Sequence, residues 1–150
     1  MSSFKRKLSP LLMQSQKAFK KDTLKILTLA SNEAVNFFHD NFRRQGFLNR
    51  SVKPWKPRKI VDAGRGILIG KGGGDKLSNS VARTAVSLVK TSVTIGIKGD
   101  PAEYASVHNY GLMSGRGKGF KMPKRQFIGE SKSLNKKIIR LIDKRLRKIM

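Results

Sequence analysis

The stretch 70-GKGGGDKLSNS-80 brings together clustered glycines, lysines and hydroxyl residues, the ingredients of a phosphate-binding loop. A P-loop needs a Gly, four residues, then Gly-Lys and Ser or Thr, so that backbone N–H groups turn toward phosphate and the hydroxyl reaches a metal. Counted from Gly70, Asp75 holds the second glycine position, Lys76 follows, and Leu77 stands where the hydroxyl belongs. A carboxylate would face the phosphates and nothing would hold magnesium. The run 115-GRGKGFKMPKR-125 alternates Gly115, Gly117 and Gly119 with Arg116, Lys118 and Phe120, which is not the strand–turn–helix pattern of a dinucleotide site. Both stretches read as flexible loops, whose entropic cost of ordering a partner can offset.

Catalysis needs convergent groups, and the sequence does not supply them. The nine acids (Asp22, Glu33, Asp40, Asp62, Asp75, Asp100, Glu103, Glu130 and Asp143) are scattered, with no spacing that suggests a metal pair. His39 and Asp40 are adjacent on a helical stretch, so their side chains point about 100° apart. A nuclease-like reading of 108-HN-109 lacks a second His and a metal carboxylate nearby, and no Ser lies in an elbow motif. No catalytic residue, cofactor or metal ligand is expected, and His108 reads as a hydrogen-bonded structural residue. With no cysteine there is no disulfide and no thiolate metal site.

Charge is the strongest compositional signal. Lys and Arg total 33 against nine acids, a net charge of +24, which bears on partners more than on fold. Nucleic acid and acidic assembly partners fit such a balance. A membrane partner is not expected, since no stretch approaches the roughly 20 apolar residues of a span. The start, MSSFKRKLSPLLMQS, has too short an apolar run, broken by Pro10, for a signal peptide, so a cytoplasmic origin is expected.

The elements that must position these residues follow from periodicity. Residues 1–15 read as a mobile basic arm or a loosely docked start, and 16–150 as one domain. A long helix is expected from about Gln16 to Arg44, because Phe19, Thr23, Leu27, Ala30, Ala34, Phe37 or Phe38, and Phe42 recur at threes and fours. Gly46 stands in the position of its stop signal. Residues 45–78 read as irregular, with Trp55 closing one edge of the core and Ile67–Ile69 anchoring the loop. Val/Ile/Thr-rich segments 80–89 and 92–98 predict a hairpin with a turn at Lys90-Thr91. Pro101 suits the first turn of a short helix to about Tyr110, with Gly111 as its stop. Residues 112–124 form a basic glycine loop, and 126–128 a short strand. Ser131 or Ser133 caps a C-terminal helix whose apolar face is Leu134, Ile138, Leu141, Ile142, Leu146 and Ile149. Its other face is strongly basic.

Four pieces in this order, 75-DKLSNSV-81, the Val/Ile/Thr hairpin, 104-YASVHNYG-111 and 123-PKRQFIGES-131, resemble the phage virion morphogenesis family, which includes Mu-like tail completion and head–tail joining proteins. Leu77, Ser80 and Val81 match its first motif. Tyr104, Ala105, His108 and Gly111 match the second, and Pro123, Arg125, Phe127, Ile128 and Gly129 the third. The Trp55-x-Pro57 loop fits upstream, and the resemblance covers roughly residues 35–150. The resemblance implies an α+β fold, with a long N-terminal and a C-terminal helix packed on a small, mainly antiparallel sheet that carries long basic Gly-rich loops. It implies a structural virion protein of the head–tail junction or tail end (tail completion, connector or terminator). Such a protein would form a homo-oligomeric ring through which DNA passes, against acidic neighbouring connector or tail proteins. The helix 104–111 and the strand 125–129 would brace the basic loop between them. The residues expected to touch DNA phosphates or a partner are Lys71, Arg116, Lys118, Lys121, Lys124, Arg125, Lys136, Lys137, Arg140 and Lys144. Composition alone keeps a second reading open, a sequence-nonspecific nucleic-acid-binding protein.

Overall fold

Phe37, Phe42 and Phe127 are each under 2 % exposed and belong to one core, in which the rings of Phe42 and Phe127 lie 5.2 Å apart. A computed structural model describes residues 2–58, 66–69, 77–83 and 91–148 of the chain. Lys71 and the loop around it, residues 84–90 and Ile149 lie outside the described residues.

Helix α1 spans Ser2–Arg44, about 65 Å at 1.5 Å per residue. It therefore starts at Ser2, not near Gln16, and residues 2–15 are helical. The apolar stripe is also shorter than its periodicity implied. Residues 13–21 are exposed, Phe19 to 74 %, whereas Ser31, Ala34, Phe37, Phe38, Asn41 and Phe42 are buried. The reason is the length of helix α3 (Lys132–Leu146). It lies antiparallel along α1, with Lys137 on Glu33 at 3.1 Å and Arg145 beside Asp22 at 3.9 Å, and it ends there.

The residue that turns the chain out of α1 is Gln45, in the left-handed region at φ 53°. Gly46 instead opens β1 (Gly46–Leu48), which pairs antiparallel with β2 (Val52–Pro54). A Cβ on Gly46 would sit 2.6 Å from the carbonyl oxygen of Lys53, so close approach of the strands, not a helix stop, calls for glycine. The Gln45 side chain donates to the Phe42 carbonyl and accepts from the Ile67 N–H, which ties Ile67 and Leu68 against the core.

The strands form three separate antiparallel pairs rather than one small sheet. After β1–β2 come β3 (Val81–Arg83) with β4 (Ile95–Ile97), then β5 (Met113–Ser114) with β6 (Phe120–Lys121). Of the expected hairpin over 80–98 the described residues show the base, Val81 paired with Ile97 and Arg83 with Ile95. Leu77, in a single 3₁₀ turn (Leu77–Asn79), and Val81 are its core contacts. Helix α2 (Ala102–Tyr110) follows Pro101 and ends at Gly111, which is left-handed at φ 72° and donates to the Val107 carbonyl. Ser131, not Ser133, caps α3: its Oγ accepts the Leu134 N–H at 3.2 Å. The class is α+β, with α1 and α3 flanking the small strand pairs. No helix among the described residues is long and apolar enough to cross a membrane.

Candidate interaction surface

Two adjacent stretches build the surface, a braced segment and a hairpin. The braced segment, 125–131, lies extended but is not a strand, contrary to the pattern of 126–128. Its backbone groups pair with side chains instead. Asn109 Oδ1 accepts the N–H of Phe127 at 2.9 Å and of Ile128 at 3.1 Å. Asn41 Nδ2 donates to the Phe127 carbonyl at 3.1 Å, and Trp55 Nε1 to that of Gln126 at 2.7 Å. Buried backbone groups must be satisfied, and here two asparagines and an indole take the place of a neighbouring strand. Trp55 is 6 % exposed, with its ring edge-on to Phe42 at 5.5 Å, so it closes the core as expected. At the far end Ser131 Oγ donates to the Leu48 carbonyl, and Asn49 accepts from the Lys132 and Ser133 N–H groups.

Arg125 belongs to this brace and stands apart from the other expected contact residues. It is 7 % exposed; its Nε donates to the Lys56 carbonyl at 3.1 Å and its Nη2 to that of Pro57 at 3.4 Å. Its backbone N–H bonds the His108 carbonyl at 2.8 Å. A guanidinium spent on two carbonyls ties the Trp55 loop to the 123–131 segment, and it is not presented to a phosphate. Burial first, then the charge of Arg58, lowers its pKa from the usual guanidinium value. His108 stacks edge-on to Tyr104 at 5.9 Å. Its Nδ1 is buried with no hydrogen-bond partner among the described residues, so the expectation of a hydrogen-bonded histidine does not hold at that atom. Burial, and next the Arg125 charge, hold its pKa below the ordinary imidazole value.

The hairpin β5–β6 rises from this brace. Met122 N–H bonds the Leu112 carbonyl and Met113 faces Lys121 across the pair, so the predicted basic loop is a short two-stranded ribbon. Its turn needs its glycines. Gly115, Gly117 and Gly119 lie at φ 97°, 63° and 57°, and a Cβ on Gly119 would meet the Ser114 carbonyl oxygen at 2.8 Å. The alternating glycines are therefore turn chemistry. Arg116, Lys118, Lys121 and Lys124 are all exposed, and so are Met113 and Phe120, at 59 % and 57 %.

The remaining expected contacts lie on α3. Lys136, Arg140 and Lys144 are exposed. Lys137 is engaged with Glu33 and lies over the Phe37 ring at 5.9 Å, bracing α3 on α1. The fold also makes a cationic cleft of about 310 Å³ lined by Arg50, Lys132, Ser133 and Lys136. Of these only Lys136 was expected. Arg50 comes from the β1–β2 turn, and nothing local in the sequence joins it to the start of α3.

The residues that carried the sequence resemblance converge on one node. Trp55, Ala105, Phe127 and Arg125 are buried there, Leu77 and Val81 share the same core, and Gly111 ends α2 within 3 Å of Lys124 from a would-be Cβ. Gly111, packed on Lys124, and Arg125, bonded to the His108 carbonyl, hold the base of the hairpin. No curated protein and no solved structure matches the chain. The region from Phe38 to just past the end of α3, with every element of that node, matches one family over residues 38–147, and the chain belongs to it: the phage virion morphogenesis family.

Proposed function

We propose that the protein is a structural component of the phage head–tail junction or tail end, assembled as a ring around the DNA path. Family membership supports a role in building the virion. The observation that carries the finer reading is the hairpin. It presents Arg116, Lys118, Lys121 and Lys124 to solvent on a glycine turn, with Phe120 and Met113 exposed beside them. Cations on such a ribbon suit phosphates or an acidic neighbour, and the exposed apolar pair suits a protein neighbour. The exposed Lys136, Arg140 and Lys144 of α3 add a second basic face. The reading includes no catalytic step. The half-buried His108 adjoins the brace, and the expected contact residues are all cations.

A ring brings one patch of each copy against a different patch of the next. Each copy carries +24, so uncompensated copies repel one another at low salt. Assembly is therefore expected to need salt, DNA or an acidic partner. Sedimentation of the full chain across a salt series, with and without duplex DNA, tests this. A monomer at low salt that closes into one defined ring on screening or on DNA supports the reading. A monomer that only coats DNA at every salt supports the free nucleic-acid-binding alternative instead. If about six phosphates are contacted, log affinity falls with log salt at a slope near −5, without base preference.

A further inference from the structure

The charge census of the fold points to a specific contact. Among the described residues seven acids occur. Asp22, Glu33, Asp40 and Asp143 each pair with a cation of the same chain. Asp100, Glu103 and Glu130 have no ion-pair partner among the described residues, and all three are exposed. Two of these three, Asp100 and Glu103, sit at the start of α2, flanking Pro101 and Ala102. Ala102 is part of the wall of an open apolar groove of about 300 Å³, which Ile95, Ile97, Ala105, Tyr110 and Ile128 also line. The groove is unobstructed at Gly96, where a side chain would meet no atom within 4 Å. Neither acid lines the groove, but Glu103 directly follows and Asp100 closely precedes its wall residue Ala102, so exposed negative charge adjoins an apolar groove on a chain of +24. It marks a place where a basic, apolar element is accepted.

The same chain carries such an element. Hairpin β5–β6 has Phe120 57 % exposed, Arg116 and Lys118 exposed on the turn beside it, and no acid from Leu112 to Ile128. We infer that the β5–β6 hairpin of one copy docks in the Ile95–Tyr110 groove of the next. Phe120 enters the apolar groove, and Arg116 and Lys118 meet Asp100 and Glu103 beside it, at the start of α2. The two patches differ, so the contact is heterologous and propagates around a ring. It also offsets repulsion where two strongly cationic copies touch. The inference rests on the ring reading and names its interface.

The chain has no cysteine, so introduced cysteines report the contact without background. Gly96→Cys and Lys118→Cys are made in separate full-length chains, mixed under the salt or DNA condition that gives the largest assembly, and oxidised. The expected result is a disulfide dimer from the mixture and little from either variant alone. In addition, Glu103→Lys weakens assembly by about tenfold, and adding Lys118→Glu recovers most of it. Folding of each variant is checked by circular dichroism. Three outcomes overturn the inference. Rings that form without cross-linking place the interface elsewhere and leave the ring reading standing. Equal cross-linking by one variant alone shows random collision or a symmetric contact. Absence of any assembly under every condition removes both the interface and the ring reading.

Discussion

Residues 112–122 and 123–131 are neighbours in the chain, similar in basic character, and opposite in what they do with it. The first stretch puts Arg116, Lys118 and Lys121 into water on a glycine turn, held by a two-residue strand pair. The second draws Arg125 inside, onto the carbonyls of Lys56 and Pro57, and pins its backbone with Asn41, Asn109 and Trp55. The difference teaches that cationic residues in this protein are of two kinds. A buried arginine whose guanidinium donates to backbone carbonyls is part of the fold, because a buried charged donor left unpaired would cost more than the bonds contribute. A lysine on a glycine turn contributes almost nothing to the fold and is available to a partner. High net charge alone cannot distinguish them.

The sharpest way to break the comparison is at its centre. Phe127 is 1 % exposed and its ring lies 5.2 Å from that of Phe42. Phe127→Ala is expected to cost about 3–5 kcal/mol, comparable to the whole stability of many domains. Urea unfolding is expected to show a loss of most or all of the cooperative transition.

Asn109→Ala is the next largest. It leaves the Phe127 and Ile128 N–H groups without their shared acceptor, one of them buried, at a cost of about 2–3 kcal/mol. Chemical denaturation is expected to report a lower midpoint with an unchanged slope. Hydrogen exchange at these two amides is expected to speed up more than at the hairpin. Equal protection in mutant and wild type would mean that the brace does not depend on this residue.

His108 sharpens the comparison through pH. Its folded pKa is lowered by burial and by Arg125, so the unfolded chain takes up a proton near 6.5 while the folded chain resists until a lower pH. Stability from this group is thus fully present above about 6.5 and is lost as pH falls toward the folded value. Thermal unfolding of the wild type minus that of His108→Gln, followed from pH 7.5 downward, is expected to show this decline. Parallel pH curves for the two proteins would show that the imidazole is not the titrating group.

The smallest stability effect is expected in the hairpin. Replacing Arg116, Lys118, Lys121 and Lys124 with Ser is expected to shift unfolding by less than about 0.5 kcal/mol, as for surface sites without structural contacts. If all four meet phosphates, the same variant shallows the salt slope of DNA binding by about 3 to 4. A variant that unfolds early would put these residues in the brace after all. One that folds and keeps the wild-type slope and assembly would move the contact to the basic face of α3.

The helices were legible because their signals are local. The 3.6-residue stripe, Pro101 before α2, Gly111 after it and Ser131 before α3 each act within one or two turns of chain, and each sits where its geometry is used. The motif order 77–81, 104–111 and 123–129 was equally legible, since it needs only spacing along the chain. The extent of the stripe was not. Phe19 has the same periodic position as Phe37, five full turns further on, and only the point at which α3 ends leaves it exposed. Nor could Arg125 be told from Arg116 by type or spacing. What separates them is the pair of carbonyls brought from Lys56 and Pro57, which are far away in sequence. The strand pattern at 126–128 failed for a related reason. An extended backbone can be satisfied by a strand or by side chains, and the choice fell to Asn41 and Asn109 on two different helices. By itself, then, the sequence determined element type, caps, charge and family pattern, which are properties of neighbours along the chain. Tertiary structure decided which cations are free, which apolar residues are covered, and where Ile95, Ala105 and Ile128 come together in an open groove, because each of these depends on groups that only folding brings together.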